Sequence, residues 1–273
     1  MTKINLNGTE IFYQEVGNGL PCLIMHGGLG QDHTFMHPWF NSLGDIMHLI
    51  YYDHRGNGRS GRPPVETLTM QNFCADADAL RQHLGFDKVA VMGSSFGGFI
   101  ALEYAAHYPE RVSHLILLDT TPHLNYGKEI MDNAKRKGAT QEMIDTLFGP
   151  DPVADADMER YMRIIAPLYF HNFDAERFER LISQTVWSAS ALARNEPIVH
   201  EFNAASYLSE IRAPTLIIVG DDDFITPPSQ AEILHTGIPD SELAIIEQAG
   251  HFSHVERPDT VADAIRKWLN HAA

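Results

Sequence analysis

The sequence predicts an α/β fold: a mostly parallel sheet with helices on both faces, interrupted by one helical insertion. Three observations carry that expectation. Short apolar runs alternate with longer helical stretches through the first 122 residues. From about His123 to Glu210 the alternation stops, and charges and aromatics recur without a strand-like run. At Ala213 the strand pattern returns. Strands that alternate with helices build a parallel sheet covered on both faces.

The elements follow in order. Thr2–Leu6 and Glu10–Val16 flank Asn7-Gly8, a hairpin turn pair. Pro21–Met25 is an apolar run ending at His26-Gly27-Gly28, and His48–Tyr52 is another ending at Asp53. A helix is expected from about Leu68 to Leu84 and a strand at Lys88–Met92. Phe96–His107 reads as a helix stopped at Tyr108-Pro109, because the residue before proline avoids the helical region. Val112–Leu118 is a strand ending at Asp119. Beyond the insertion come strands at Pro214–Gly220 and Glu242–Glu247 and a helix at Pro258–Asn270. The expected division is a core of residues 1–122 and 211–273 with a helical cap over 123–210. An insertion at the carboxyl ends of parallel strands sits over the usual ligand crevice.

Charge narrows the partners. With 36 acidic and 20 basic residues the chain carries −16 at pH 7. Such a surface repels phosphate backbones and anionic headgroups, so nucleic acid and membrane are not expected partners. A neutral or cationic small molecule is the expected substrate. Cys22 and Cys74 make no disulfide framework, and the N-terminus lacks a signal peptide's apolar run. No stretch approaches the ~20 apolar residues needed to span a bilayer. A cytoplasmic protein is therefore expected. No feature of the sequence indicates its oligomeric state.

Gly93-Ser94-Ser95-Phe96-Gly97 fits G-x-S-x-G, with the apolar run Val89–Met92 leading in and a helix leading out. Only Ser95 has glycine at both second neighbours; for Ser94 those positions are Met92 and Phe96. A lone serine hydroxyl is a poor nucleophile and needs a base and donors for the developing oxyanion. His251, in the loop after the last strand, is the expected base, with His254 and His26 as rivals. Asp221-Asp222-Asp223 follows the strand ending at Gly220. Asp223, four residues before Pro227 and deepest in the loop, is the first choice for the orienting acid, then Asp222, then Asp221. The order Ser95, Asp223, His251 is that of an α/β-hydrolase triad. The Gly28 and Phe96 amides are the expected oxyanion donors, with Leu29 as an alternative to Gly28. No cofactor and no metal are expected. The glycine loop matches neither phosphate-binding pattern, and the aspartate run lacks calcium-loop spacing.

Taken together, His26-Gly27-Gly28, the Asp53–Ser60 run, Gly93–Gly98, Gly220–Pro227 and Gly250-His251 through Pro258 resemble the α/β-hydrolase superfamily over nearly the whole chain. The resemblance implies an eight-stranded, mostly parallel sheet with a helical cap, and it supports Asp223 over its neighbours. It also implies a mostly structural role for Asp53–Ser60. Two branches are similar. His26–Gly30 and Asp53–Ser60 look like proline iminopeptidases, but the serine motif departs from the Gly-Gly-Ser-Trp-Gly usual there. The other branch is that of the related capped members: carboxylesterases, lactonases that open acyl-homoserine lactones, and carbon–carbon bond hydrolases. The expected activity is ester or lactone hydrolysis, with Leu29 and Trp187 contacting substrate and Phe170, Phe173 and Phe202 as further candidates for an acyl pocket. An aminopeptidase would instead need carboxylates for the substrate ammonium, for which Glu196, Glu201, Asp155 and Asp157 are available. A ligand-binding protein on the same fold is the non-enzymatic alternative.

Overall fold

The structure, a computed structural model, describes residues 2–271. Among these residues the chain forms eight strands: β1 (Thr2–Leu6), β2 (Thr9–Val16), β3 (Leu20–Met25), β4 (Met47–Tyr52), β5 (Val89–Ser94), β6 (Val112–Leu118), β7 (Thr215–Gly220) and β8 (Ser241–Ile246). They make a sheet in the order β1-β2-β4-β3-β5-β6-β7-β8. The pairs β1–β2 and β2–β4 are antiparallel and the others parallel. The first hairpin turns at Asn7 and Gly8, whose φ values of 47° and 78° match the twist of the flanking strands.

The period-two geometry of the strands sorts the core into two layers. Leu23, Met25, Val91, Leu115, Leu117, Ile217 and Val219 face one side. There they meet helices α1 (Met70–His83) and α2 (Phe96–His107). Cys22, Ile24, Ala90, Met92, Ile116, Leu118, Leu216 and Ile218 face the other, against the helix that begins at Pro258. Each inward residue thus has a helix to bury it, and the strands read as continuous apolar runs for that reason.

Between β6 and β7 the chain forms α3 (Gly127–Arg136), α4 (Gln141–Leu147), α5 (Asp155–Tyr169), α6 (Ala175–Ile182), α7 (Ala189–Leu192) and α8 (Asn195–Glu201). This helical cap has its own core of Met158, Met162, Ile165, Phe178, Ile182 and Trp187, closed from below by Phe35, Phe252 and Val255. Its two ends are joined: Ala204 N donates to Pro122 O at 2.8 Å, beside a bridge between His123 and Asn203. After β7 comes α9 (Pro228–Gly237), a helix the sequence reading does not include. Its signals are a proline in the first turn and Ala231, Leu234 and Ile238 buried along one face. The chain ends through α10 (Ser253–Glu256) and α11 (Pro258–Leu269). No described helix is long and apolar enough to cross a membrane.

One buried ion pair fastens the loop after β4 to α1. Arg55 Nε and Nη2 grip the Asp76 carboxylate at 2.6 and 2.5 Å, with side-chain exposures of 4% and 2%. Removing one partner of such a pair leaves a buried charge unmatched, which is costlier than the pair itself is stabilising. Arg55→Ala is therefore expected to lose about 3–5 kcal/mol in urea unfolding. A loss below about 1 kcal/mol would mean that the pair is merely tolerated.

Candidate active site

The topology places the site. From β3 the chain moves to β4 on one side, then crosses to β5 on the other side of β3. Ligand crevices of open α/β sheets form where the strand order reverses in this way. The loops that leave β3 and β5 here are His26–Gly30 and the turn at Ser95.

Ser95 stands between the last residue of β5 and the first of α2, with φ 52° and ψ −119°. This is a strained conformation for a residue with a side chain. The fold holds it from both ends: Ser95 N donates to Leu118 O at 3.0 Å, and Thr120 Oγ1 donates to Ser95 O at 2.8 Å. Gly97 permits the approach, since a Cβ there would lie 2.1 Å from Met25 O. Gly27 is also near, though less tightly: its Cβ would lie 3.2 Å from Ser95 Cβ. Phe96 opens α2, so its N–H has no intrahelical partner. The Gly28 amide takes part in no backbone hydrogen bond among the described residues. The Gly30 amide is occupied by Asn57 Oδ1 at 2.7 Å.

The three aspartates after β7 have three different environments. Asp221 accepts from Ala249 N at 3.2 Å on the exposed side of the loop. Asp222 pairs with Lys137 and His171 of the cap. Asp223 is buried and meets His251: Oδ2 accepts from His251 Nδ1 at 2.8 Å and from Thr226 Oγ1 at 2.6 Å. Its Oδ1 accepts from the amides of Ile225 at 2.9 Å and Thr226 at 3.0 Å. Burial works against charge on Asp223, but the His251 charge and these bonds outweigh it and hold the carboxyl below its usual range. Burial likewise opposes the imidazolium of His251, yet Asp223 and then Asp119 raise it above the ordinary 6.5. Thr226, and Tyr169, whose carbonyl accepts from His251 N at 2.7 Å, are absent from the sequence reading. Thr226 lies within the Gly220–Pro227 run and was legible there. Tyr169 lies 82 positions from His251 and carries no local signal.

The rival histidines are engaged elsewhere. His254 donates from Nε2 to Phe35 O at 2.8 Å, and burial lowers it to about 4. His26 accepts from His54 N at 3.1 Å and donates from Nδ1 to Gly27 O at 2.8 Å. The rings of His26 and His54 lie 4.0 Å apart, and burial pushes both below the ordinary value. These neutral rings brace the glycine loop from below. The Asp53–Ser60 run braces it from the side. Asp53 accepts from His33 N at 2.8 Å, His33 Nδ1 at 2.6 Å and Arg59 N at 2.7 Å. Asp32, His33 and Asp53 bring possible metal-ligand atoms within 4.8 Å of one another. Those atoms are already used: Asp32 Oδ2 holds Arg59 Nη1 at 2.5 Å, and His33 holds Asp53.

Ser95, His251, Gly28, Leu29, Phe96 and Thr226 line one cavity of about 650 Å³ between the sheet and the cap. Trp187 corrects the sequence reading, for it is not among the lining residues. Arg62 binds its carbonyl at 2.6 Å and Asp155 binds Ala189 N at 2.8 Å, and the indole packs into the cap core. Phe170, Phe173 and Phe202 are likewise packing residues; Phe202 stacks on Phe99 with centroids 4.4 Å apart. The cap side of the cavity is instead Leu147, Met158, Tyr161, Met162, Ile165 and Leu192. Of the four carboxylates considered for an ammonium, Glu196 lines the cavity and Glu201, Asp155 and Asp157 do not. Asp151, absent from the sequence reading, lines it too.

Comparison with known proteins agrees with this fold. A family model described as the alpha/beta hydrolase fold matches residues 21–258, and the chain belongs to that family. A proline iminopeptidase of the fungus Pestalotiopsis fici is 33% identical over 97% of this chain and 98% of its own length. One of Lactobacillus acidophilus is 28% identical over 98% and 97%. Among solved structures, a thermophilic esterase from Thermogutta terrifontis is 27% identical, with a TM-score of 0.76 over 100% of this chain and 99% of that one.

The close approach at the serine turn has a measurable consequence. Gly97→Ala is expected to cost about 3 kcal/mol or more, because the new methyl meets rigid backbone. Gly127→Ala is its control, since a Cβ there would meet nothing within 4 Å. Equal melting temperatures for the two variants would contradict the packing described.

Proposed function

We propose that this α/β hydrolase is a serine hydrolase that cleaves carboxylic esters, lactones included, through an acyl-enzyme. One observation carries the reading: Ser95, on its strained turn, shares a cavity with His251, whose far nitrogen is held by buried Asp223. In this reading Ser95 Oγ attacks the acyl carbon while His251 Nε2 takes the hydroxyl proton. The carbonyl electron pair moves onto its oxygen, where the Gly28 and Phe96 amides stabilise it, each by about 3 kcal/mol. When the tetrahedral species collapses, the alkoxide departs with the proton from His251. Water, activated by His251, then attacks the acyl-enzyme and frees Ser95. Asp223 keeps Nδ1 protonated, so that Nε2 is the basic nitrogen, and balances the imidazolium.

The cavity walls favour an apolar acyl or alkyl group. Phe35, Phe99, Met158, Met162 and Ile165 line it beside Ser95. A second reading, hydrolysis of an N-terminal proline amide, has its own support. Asp151 and Glu196 line the same cavity, and burial and then the Glu196 charge raise the Asp151 carboxyl. Such a pair suits a substrate ammonium. The names of the two iminopeptidase relatives point the same way.

A p-nitrophenyl butyrate assay beside a proline p-nitroanilide assay separates the two readings. The ester is expected to give the larger kcat/KM. If the anilide is preferred, and Asp151→Asn and Glu196→Gln raise its KM about tenfold or more, the aminopeptidase reading replaces the first. On the preferred substrate, Ser95→Ala is expected to lose a factor of at least ~10³. Asp223→Asn is expected to lose ~10⁴ and Asp222→Asn less than about tenfold. Retained activity in Ser95→Ala would overturn both readings.

The pH dependence has a defined sign. The base works only when neutral, and the pair holds His251 above 6.5. Activity is therefore expected to fall on acidification at a higher pH than free imidazole would give. An acid limb of kcat/KM below 6.5 would contradict that arrangement.

A further inference from the structure

Asp119 directly follows β6, is 0% exposed and has no part in the proposed reaction. Its φ of 45° is uncommon for a residue with a side chain. The carboxylate is fully engaged. Oδ1 accepts from Gly220 N at 3.0 Å, and Oδ2 accepts from Ser253 Oγ at 2.7 Å and Ser253 N at 3.2 Å. Gly220 ends β7, three residues before Asp223. Ser253 stands two residues after His251. One side chain therefore ties the acid loop and the histidine loop to the end of a third strand.

We propose that Asp119 is a positioning residue for His251, clamping the turn that carries it and placing a second carboxylate behind the Asp223–His251 pair. The proposal rests on the reading of Ser95, His251 and Asp223 as the reacting set. A clamp alone would not need charge, and a buried carboxylate beside Asp223 is costly unless a cation offsets it. Among the groups around it, His254 is the nearest candidate, with Nδ1 4.0 Å from Asp119 Oδ2. Burial holds that ring neutral, and its Nδ1 has no hydrogen-bond partner. Tyr169 packs against His251 with ring centroids 5.4 Å apart, and burial keeps its phenol protonated. That leaves His251, whose imidazolium forms in the transition state. Burial, then repulsion from Asp223, push the Asp119 carboxyl up to about 8. When neutral, its O–H can donate to Ser253 Oγ, a hydroxyl that donates or accepts. The clamp thus survives both states, while the stabilising charge is present only above that pH.

Wild type, Ser95→Ala, Asp119→Asn and Ser253→Ala are compared by phosphonylation with an aryl fluorophosphonate. For the same proteins kcat and KM on p-nitrophenyl butyrate are measured between about pH 6 and 9.5. Loss of labelling in Ser95→Ala establishes the reacting set; persistent labelling overturns that set and the role of Asp119 with it. With the set established, Asp119→Asn is expected to lower kcat with KM within about twofold, by a factor that grows roughly tenfold from pH 6.5 to 9. A deficit equal at every pH, or a raised KM with kcat retained, overturns the proposal. Ser253→Ala removes one donor and keeps the charge, so kcat is expected to fall about three- to tenfold with the wild-type pH dependence. Should Asp119→Asn fail to fold, that fall at constant KM sustains the proposal, and an unchanged kcat overturns it.

Discussion

The site depends first on the backbone of Ser95. A side chain at φ 52° and ψ −119° is unfavourable by roughly 1–3 kcal/mol and persists only where its surroundings leave no alternative. Here the surroundings are three strand ends. β5 delivers the residue, β6 accepts its amide through Leu118 O, and β3 presses Met25 O against Gly97. A methyl at Gly97 would push α2 away from β3 and relax the turn. The strain that exposes the hydroxyl is therefore supplied by packing of the sheet, and the sheet's apolar layers are what stabilise it.

A second dependence runs through the cap. It is fastened to the sheet on two sides by polar contacts. On one side Asp32 Oδ2 accepts from Val186 N at 2.8 Å, and Arg62 reaches Trp187 O. On the other, Lys137 and His171 of the cap pair with Asp222 beyond β7, while Tyr169 O of the cap receives the His251 amide. Glu256 completes that side, accepting from Gly250 N at 2.7 Å and from His171 N at 3.0 Å. The loop that carries His251 thus has the sheet below it and the cap above it. The position of the cap and the position of the imidazole form one unit, because the same hydrogen bonds set both.

The electrostatics follow from burial. Three ionisable groups, Asp119, Asp223 and His251, are buried within one small volume, where charge is favourable only in balance. Asp223 is the carboxylate that touches the imidazole and keeps its charge. Asp119 is one step removed and is pushed toward the neutral form. His254 and His26, equally buried but without a carboxylate in hydrogen-bond contact, are driven neutral. Chemically identical histidines therefore take opposite roles according to a single contact distance.

Features written in local chemistry were legible in the sequence: the Asn7-Gly8 turn, the apolar strands, the glycines around Ser95 and the order of Ser95, Asp223 and His251. Each depends on a few adjacent residues whose backbone needs are local. Helix α9 carries local signals of the same kind, in its proline and its apolar spacing. Tertiary structure alone decided that Trp187 faces the cap core and that Leu147, Met158 and Tyr161 face the cavity. It alone joined Tyr169 to His251, and Asp119 to the loops that carry Asp223 and His251. The physical reason is the same in each case. An amphipathic cap helix presents apolar residues to its own core and to the cavity alike, so composition cannot distinguish the two. Contacts between residues more than 80 positions apart leave no periodicity in the chain.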